Sequence, residues 1–524
     1  MPRATARLPI PLLFALALCA DTYPRQFGID ARHYTFSITL RDDTDEISGQ
    51  TAVALLFVQS GITQVSLDLA DNMLVTGVVS TQPLTYTHAQ NKLAIALVAP
   101  AAGERRTFTI TYRGKPAGGL RIGRNKYGER TFFSSNWPDR ARQWLPMIDH
   151  PYDKATSEFL ITTPDRYAVV ANGALKESST LSGARRMTHW KESAPIASWL
   201  NAIAVAPFDK SDLGSIAGIS LQTWLYPRDR DIGAATLDAP MRQAAEFYAA
   251  RIGPYSYEKL AGVEAAGVDG GMEHASEIFF DERLFGAARV PGIVAHEVAH
   301  QWFGDAVTEK DWDDVWLSEG FATYFALLEL EREEGHDPFI AALKRSRTKV
   351  FAAQKEEPRE AVIHRNLSDM NNVLNDLVYE KGGWALHMLR AQTGDEAFWR
   401  GIREYYRLYR NGNASTDDFR AVMEGAAHTD LKWFFHQWLE RAGAPVVAAA
   451  WQYDPATRRI ELDLEQTQSG IAYRLPLEIS IDGKIEKIEM ENKRQHFTIG
   501  PEKEPRKILL DPNTLVLMQS TLLP

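Results

Sequence analysis

A chain of 524 residues with 45% hydrophobic and 24% charged residues has the composition of an ordinary globular protein. At about 100–200 residues per domain, this length predicts about three domains. The formal net charge of −10 provides no basic footprint, which excludes a nucleic-acid-binding surface of the usual kind, so we expect no nucleic acid partner.

The first 20 residues have the pattern of a secretory signal peptide. Arg3 and Arg7 precede an apolar run, Leu8–Ala20, which is shorter than the ~20 apolar residues of a membrane-spanning helix. We therefore expect a secreted or periplasmic protein without a membrane span. Cys19 is the only cysteine, so the mature chain is expected to have no disulfides. A lipid anchor on Cys19 is the alternative, and the bulky Leu18 before it disfavours that modification.

Strand-like alternation follows in the first part of the mature chain. Apolar and polar residues alternate strictly in Tyr34–Leu40, and the period of two recurs in Val53–Phe57 and Phe108–Tyr112. Such alternation is typical of half-buried strands, and Gly, Pro, Asn and Asp cluster between the runs as they do in turns. The pattern predicts an N-terminal all-β domain over residues 21–208, built as a sandwich or a saddle-like sheet.

Helical periodicity replaces this pattern in the middle of the chain. Apolar residues recur at helical spacing from Ala239 to Ile252, and a further helix is predicted at Trp316–Leu330. Closer to the C-terminus the period returns to two, as in Arg459–Leu464. We therefore predict an α+β multidomain protein whose N-terminal β domain is followed by a helix-rich domain at 209–442 and a small C-terminal β-sandwich at 443–524.

One stretch of the helix-rich domain predicts a metal site. His296 and His300 in the sequence H-E-V-A-H are four residues apart, so a helix presents both imidazoles on one face, where they can bind one Zn²⁺ ion. Glu297 lies at the edge of that face, within reach of a water molecule beside the metal. Catalytic zinc needs a third protein ligand and an open position, and Glu319 is the candidate ligand. The spacing alone is also compatible with a solvated helix face.

Two longer runs surround these side chains. His296–Asp305 reads H-E-V-A-H-Q-W-F-G-D, and Trp316–Ala322 reads W-L-S-E-G-F-A. Both resemble the aminopeptidase N family of zinc metallopeptidases, in which the third zinc ligand is a glutamate. The resemblance implies that the helix-rich domain is thermolysin-like and catalytic. It also implies one Zn²⁺ ion per chain, with the ligands His296, His300 and Glu319.

The same resemblance suggests how proton transfer and the oxyanion are handled. Glu297 is implied to be the base that takes a proton from the attacking water and returns it to the leaving amine. Val378–Gly383 reads V-Y-E-K-G-G and is similar to the family's Y-E-K-G motif. This similarity implies that Tyr379 donates a hydrogen bond to the oxyanion.

A glycine-rich run precedes the histidines: Gly270–His274 reads G-G-M-E-H and resembles the family's G-x-M-E-N exopeptidase motif. The resemblance implies a substrate-binding stretch at Gly270, Gly271 and Met272, where the missing Cβ atoms of the glycines let a peptide approach the backbone. It further implies that Glu273 binds the free α-amine of the substrate. His274 replaces the family's asparagine, and its titration near about pH 6.5 predicts added pH sensitivity.

A third motif lies in the β domain. Ala141–Thr156 resembles a family signature, with Met147 and His150 at the positions where the family carries cysteine and glutamate. The family often has a substrate-contacting glutamine upstream, and that position falls near Ser135 and Asn136. Asn136 is the candidate substitute. The alternative is that the stretch only docks the β domain onto the catalytic domain.

Together, these features predict a zinc-dependent aminopeptidase that removes N-terminal residues from peptides with a free N-terminus. Many relatives carry a further large helical domain that covers the active site, and the chain ends before it, so a more open cleft is expected. Two alternatives stand beside this reading. One is an epoxide hydrolase of the leukotriene-A hydrolase type, and the other is a metal-free binding module on a peptidase scaffold.

Overall fold

The computed structural model describes residues 21–286, 290–500 and 503–523. The predicted signal peptide, including Cys19, lies outside the described residues. Within them, a β-rich N-terminal domain precedes a region dominated by helices and a last set of strands. None of the described helices combines the length and the apolar character that crossing a membrane requires.

The N-terminal domain consists of strands and their connections. Its strands are β1 (Ile29–Thr39), β2 (Ile47–Phe57), β3 (Gln64–Asp68), β4 (Met73–Val79), β5 (Tyr86–Ala89), β6 (Lys92–Ala96), β7 (Arg105–Gly114), β8 (Gly119–Arg124), β9 (Arg130–Ser135), β10 (Ala155–Pro164), β11 (Ala168–Ala171), β12 (Ala174–Leu181), β13 (Arg185–Ile196) and β14 (Ile203–Ala206). They form three sheets with the strand orders β12-β13-β10-β1-β2-β7-β4, β11-β14-β9-β8 and β3-β6-β5.

The alternation seen in the sequence determines which face of the largest sheet is buried. In β1, Tyr34, Phe36 and Ile38 are at most 3% exposed, whereas Ser37 and Thr39 between and after them are half-buried. Successive side chains point to opposite faces of a strand. A strand in which apolar and polar residues alternate therefore buries its apolar face and turns its polar face toward solvent. The prediction of a β-rich N-terminal domain is confirmed.

Helices dominate the middle of the chain. Its elements are β15 (Asp209–Ile216), β16 (Ile219–Leu225), α1 (Arg230–Arg251), β17 (Leu260–Ala265), β18 (Gly271–Met272), β19 (Glu277–Asp281), α2 (Val290–His300), β20 (Val307–Glu309), α3 (Trp316–Glu334), α4 (His336–Glu356), α5 (Gly382–Thr393), α6 (Asp395–Tyr409), β21 (Gly412–Ala414), α7 (Thr416–Ala427) and α8 (Lys432–Phe435). A five-stranded sheet, β15-β16-β17-β19-β18, places the G-G-M-E-H run at its edge.

Helix α1 begins earlier than the sequence predicts, at Arg230 instead of Ala239. The extra turns are stabilised by tertiary packing, since Gly233 and Leu237 are buried and a Cβ atom on Gly233 would collide with Leu225 of the sheet. Polar residues among these turns hide the helical period from a reading of the sequence alone.

The last strands form two sheets. The strands are β22 (Val446–Asp454), β23 (Arg459–Gln466), β24 (Leu475–Ile481), β25 (Lys484–Met490), β26 (Arg494–Ile499), β27 (Ile508–Leu510) and β28 (Gln519–Leu523). Their orders are β26-β23-β22-β28 and β25-β24-β27. Buried Leu462 and Leu477 of these sheets belong to the same hydrophobic cluster as Leu439 of the helical region. The C-terminal strands therefore share a continuous core with the helices.

Buried charged groups join the β-rich domain to the helical region. Asp21 accepts a hydrogen bond from the backbone N–H of Trp312 and lies 2.7 Å from Nε2 of His150, and Arg25 pairs with Asp311 at 2.6 Å.

A lysine makes a second set of contacts between the two regions. Lys154 Nζ donates to the backbone oxygens of Asp305, Ala306 and Gly412 and to the hydroxyl of Thr308. We call the set Asp21, Arg25, His150, Lys154 and Asp311 the domain seam. These contacts support the docking interpretation of Ala141–Thr156.

Candidate metal centre

Two helices bring the predicted metal ligands together. His296 and His300 lie one turn apart on α2, with their Nε2 atoms 3.0 Å from each other. Glu319 comes from the first turn of α3, and its Oε2 atom is 3.3 Å from each of the two nitrogens. Two atoms bound tetrahedrally at about 2.0–2.1 Å from a zinc ion are separated by about 3.3 Å. The donor set and its spacing therefore fit one zinc ion.

The charges of this group also suit a cation. Although burial by itself raises the pKa of Glu319, the neighbouring His300 and His296 lower that pKa to about 2. Burial lowers the pKa of His296, which favours the neutral imidazole that a metal requires, whereas at His300 burial is outweighed by the charges of Glu273 and Glu319, which raise the pKa. Oε2 of Glu319 is buried and makes no hydrogen bond of good geometry. A buried carboxylate oxygen left in this way is expected where a cation binds.

The orientation of His300 is controlled by groups that the sequence analysis missed. Its Nδ1 atom lies 3.2 Å from the backbone oxygen of Phe303 and 3.1 Å from Oγ of buried Ser318. Acceptors at Nδ1 keep the proton there and leave Nε2 free for a metal. Gly304, at φ +114°, permits this approach, because a Cβ atom on it would collide with Ser318 and lie 3.0 Å from His300 Nδ1. In the sequence, the only indication of this role of Ser318 is its position directly before the predicted ligand Glu319.

Glu297 lies against the backbone of the glycine-rich run. Its side chain is buried, and a Cβ atom on Gly271 would collide with its carboxyl group. Burial, together with the negative charge of Glu273, raises the pKa of Glu297 well above its usual range. Gly270 adopts φ +77°, the left-handed region that glycine tolerates. The sequence predicts that glycine is needed here to let a peptide approach the backbone. Gly271 is needed for a second reason as well, because a side chain there would displace the predicted base, Glu297.

Glu273 is a buried carboxylate without a partner for one of its oxygens. It is 3% exposed, and Oε1 makes no hydrogen bond. Burial raises its pKa. Ligand atoms of Glu273, Glu297 and His300 lie within 4.8 Å of one another, so the predicted amine-binding residue directly adjoins the metal centre. The preceding Met272 is half-buried and pairs with Phe279 in the sheet.

Gln301 holds this run in place, which the sequence analysis did not foresee. Its amide nitrogen donates to the backbone oxygens of Glu273 and His274, at 3.0 and 3.3 Å. Its Oε1 atom accepts the backbone N–H of Ser276 at 2.8 Å. Because Gln301 directly follows His300, one helix end carries a metal ligand and also fixes the position of Glu273.

The prediction of pH sensitivity at His274 is wrong. The imidazole is fully buried, and burial lowers its pKa to about 3. His274 therefore stays neutral near pH 6.5, and its ring packs edge-on against Phe279 at a centroid distance of 4.6 Å. Burial behind the glycine-rich run overrides the ordinary titration range of the side chain.

Asn136 is also not available as a substitute for the family's glutamine. It is fully buried, its amide nitrogen donates to the backbone oxygen of Asn201, and its Oδ1 atom accepts the indole N–H of Trp144 at 2.8 Å. These bonds connect segments of the β-rich domain, so Asn136 has a structural role. The neighbouring Ser135 is exposed at the end of β9.

Tyr379 reaches the metal centre from a π-helical turn, Leu377–Lys381, directly before α5. Its ring stacks on His296 at a centroid distance of 6.1 Å and an interplanar angle of 21°. Burial and the charges of Glu319 and Glu273 raise the pKa of Tyr379, so it is a protonated hydrogen-bond donor at neutral pH. The structure thus brings Gly271, Glu273, His296, Glu297, His300, Glu319 and Tyr379 to one place, and Gly270 and Met272 flank Gly271 in the chain.

Comparison with known proteins agrees with this geometry. Residues 240–438 match the Peptidase family M1 domain, and residues 30–200 match the Peptidase M1 N-terminal domain. Similar proteins include glutamyl aminopeptidase of Rattus norvegicus, 26% identical over 66% of this chain and 39% of the relative, and probable aminopeptidase 2 of Sulfurisphaera tokodaii, 28% identical over 71% and 49%.

Aminopeptidase M1-A of Oryza sativa subsp. japonica is 26% identical over 63% of this chain and 38% of the relative. The chain thus matches between 38% and 49% of the length of these relatives. Both the β-rich domain and the region with the metal ligands match parts of one peptidase family. The chain belongs to peptidase family M1, the aminopeptidase N family.

Proposed function

We propose that this protein is a zinc-dependent aminopeptidase that releases N-terminal residues from peptides. The observation that carries the proposal is the buried, unpartnered oxygen of Glu273 beside Glu297 and His300. A buried carboxylate oxygen without a hydrogen-bond partner is costly, and a cationic group relieves that cost. The α-ammonium group of a peptide supplies such a charge one residue from the bond to be cleaved, which sets the register of an exopeptidase.

Each residue of the site has a role in this reaction. His296, His300 and Glu319 would hold one zinc ion, which when bound polarises a carbonyl and increases the acidity of water. Glu297 takes the proton of the attacking water and delivers it to the leaving amine. Tyr379 donates its hydroxyl proton in a hydrogen bond to the developing oxyanion.

We also propose a thermolysin-like catalytic domain, a small C-terminal β-sandwich and export of the protein. The order of helices around α2 and α3 supports a thermolysin-like catalytic domain, and the two sheets formed by the strands from Val446 onward support a small C-terminal β-sandwich. The basic and apolar sequence of the first 20 residues supports export to the periplasm or the exterior. Peptides with a free N-terminus are the expected partners.

Hydrolysis of a panel of fluorogenic aminoacyl amides, each beside its N-acetylated counterpart, tests the proposal. Release of the fluorophore from the free amides, little release from the blocked ones, and loss of activity with a chelator are expected. Equal cleavage of blocked and free substrates would contradict the exopeptidase role of Glu273.

A metal-free binding module is the competing reading, and bound metal separates the two. About one zinc ion per purified chain is expected, because the three ligand atoms are already spaced for it. Absence of zinc even after incubation with the metal would favour the binding module. No specific feature of the described residues favours an epoxide hydrolase.

A further inference from the structure

Lys381 is a buried lysine close to the candidate active site. The residue is fully buried, and the charged neighbour that acts on it is Arg441, not a carboxylate. Its Nζ atom donates instead to two backbone oxygens, those of Arg441 and Gly443, at 2.9 Å each. Burial and the nearby Arg441 lower its pKa to about 7. A lysine in this setting needs a structural or functional reason, because desolvation of its ammonium group is unfavourable.

The two carbonyl groups belong to the connection between the helical region and the C-terminal strands. A second π-helical turn, His436–Glu440, ends directly before Arg441, and β22 begins at Val446. Gly443 has φ +85°, a left-handed conformation that turns the chain toward the strands. Lys381 therefore ties the turn that precedes α5 to this connection, about 60 residues further along the chain.

The turn held by Lys381 also carries Tyr379. Its other side is held by backbone packing against α3, because a Cβ atom on Gly320 would lie 3.0 Å from Cα of Gly382 and 3.2 Å from the backbone oxygen of Val378. Gly320 directly follows Glu319. The turn is thus clamped between the helix of a metal ligand and the Arg441–Gly443 segment.

We propose that Lys381 is a positioning residue that holds Tyr379 at the metal centre by anchoring its turn to the Arg441–Gly443 segment. This inference rests on the proposed function and adds to it a dependence of the oxyanion donor on the C-terminal connection. Removing the lysine head leaves two backbone oxygens without their donor and frees one side of the turn. A displacement of about 1 Å in a catalytic group is enough to reduce a rate by about 100-fold.

A double-mutant cycle tests whether Lys381 acts through Tyr379. Lys381→Met is made in the wild-type protein and in the Tyr379→Phe variant, and kcat and KM are measured with an aminoacyl amide. We expect Lys381→Met to lower kcat by about 10- to 100-fold with little change in KM in the wild type. In the Tyr379→Phe background, where the hydroxyl is already absent, we expect less than about a twofold further loss.

A matched control and a second ligand series separate positioning from general damage. Lys349 also binds this turn, through Glu380, but its side chain is 60% exposed, so Lys349→Met is expected to change kcat by less than about twofold. A phosphinic dipeptide analogue, whose centre is tetrahedral and anionic, should bind more weakly to Lys381→Met. The free amino acid product should bind equally well, and the zinc content should stay at the wild-type value.

The outcomes are distinguishable. Equal losses from Lys381→Met in both backgrounds would overturn the inference and leave the aminopeptidase assignment intact. A wild-type protein that cleaves no aminoacyl amide would overturn the proposed function and this inference with it. If Lys381→Met does not fold, Lys381→Gln takes its place in the cycle. Its side chain is shorter than that of lysine and cannot keep both carbonyl groups paired, so a smaller loss of kcat is expected in the wild type and less than about a twofold loss in the Tyr379→Phe background.

Discussion

The domain seam and the metal centre differ in the hydrogen-bond partners of their buried charged side chains. At the seam, Asp21 lies 2.7 Å from His150, and Lys154 has four acceptors within 3.2 Å. At the metal centre, Oε1 of Glu273 is buried without a hydrogen-bond partner, whereas Glu319 lies 3.3 Å from both histidine nitrogens. The hydrogen-bonded groups at the seam fix one domain on the other, whereas the unpartnered oxygen of Glu273 is suited to receive a cationic group from outside.

Removing the base at the metal centre should have the largest effect. Glu297→Gln keeps the size of the side chain and removes its ability to take a proton, so we expect kcat to fall by about 10²- to 10⁴-fold. Zinc content should be unchanged, because Glu297 is not among the three predicted ligands. Steady-state kinetics and metal analysis measure the two quantities. Unchanged turnover would show that another group is the base.

Neutralising the unpaired charge next to it tests how the substrate is recognised. Glu273→Gln should raise KM for free aminoacyl amides and lower kcat/KM by about 100-fold, since the ammonium group loses a buried counter-charge. The N-acetylated substrates should be affected much less. The ratio of kcat/KM values for free and blocked substrates is the measurement. An unchanged ratio in this variant would remove Glu273 from amine binding.

Removing a hydrogen-bond partner of the predicted ligand His300 should have a smaller effect than the two substitutions above. Ser318→Ala removes one of the two acceptors at His300 Nδ1, while the Phe303 oxygen remains. We expect about a 10-fold loss of zinc affinity, measured by competition with a chromophoric chelator. Thr348→Ala on the exposed face of α4 serves as the control. A zinc affinity equal to that of the wild type would show that the Phe303 oxygen alone orients the histidine.

A substitution at the domain seam should lower the stability of the fold without changing the catalytic rate. Burial by itself raises the pKa of Asp21, but His150 and Arg25 lower it below its usual value. A lowered folded-state pKa stabilises the fold above the unfolded pKa of about 4, and this contribution is lost as the pH falls through the folded-state value.

Asp21→Asn should therefore lower the free energy of unfolding by about 1–3 kcal/mol at pH 7. The difference between the unfolding temperatures at pH 7 and pH 3 should shrink in this variant. Thermal unfolding at the two pH values measures both quantities, and kcat at pH 7 should match the wild type. A strong loss of kcat in a folded variant would mean that the seam also shapes the active site.

Local periodicity explains the parts of the molecule that could be predicted. A period of two in Tyr34–Leu40 is enough to predict a strand, because side chains alternate between faces. Likewise, a spacing of four residues places His296 and His300 on one face of α2. The start of α1 was missed because packing of Gly233 and Leu237 onto the sheet, and not local pattern, stabilises its first turns.

The sequence by itself determined the histidine pair of the metal centre and, through family motifs, the identities of Glu273, Glu319 and Tyr379. Only the tertiary structure decided that Ser318 orients His300, that Gln301 holds Glu273 and that burial keeps His274 neutral. The reason is physical. Spacing along a helix or strand is a local property, whereas burial and hydrogen-bond partners depend on residues brought together from distant parts of the chain.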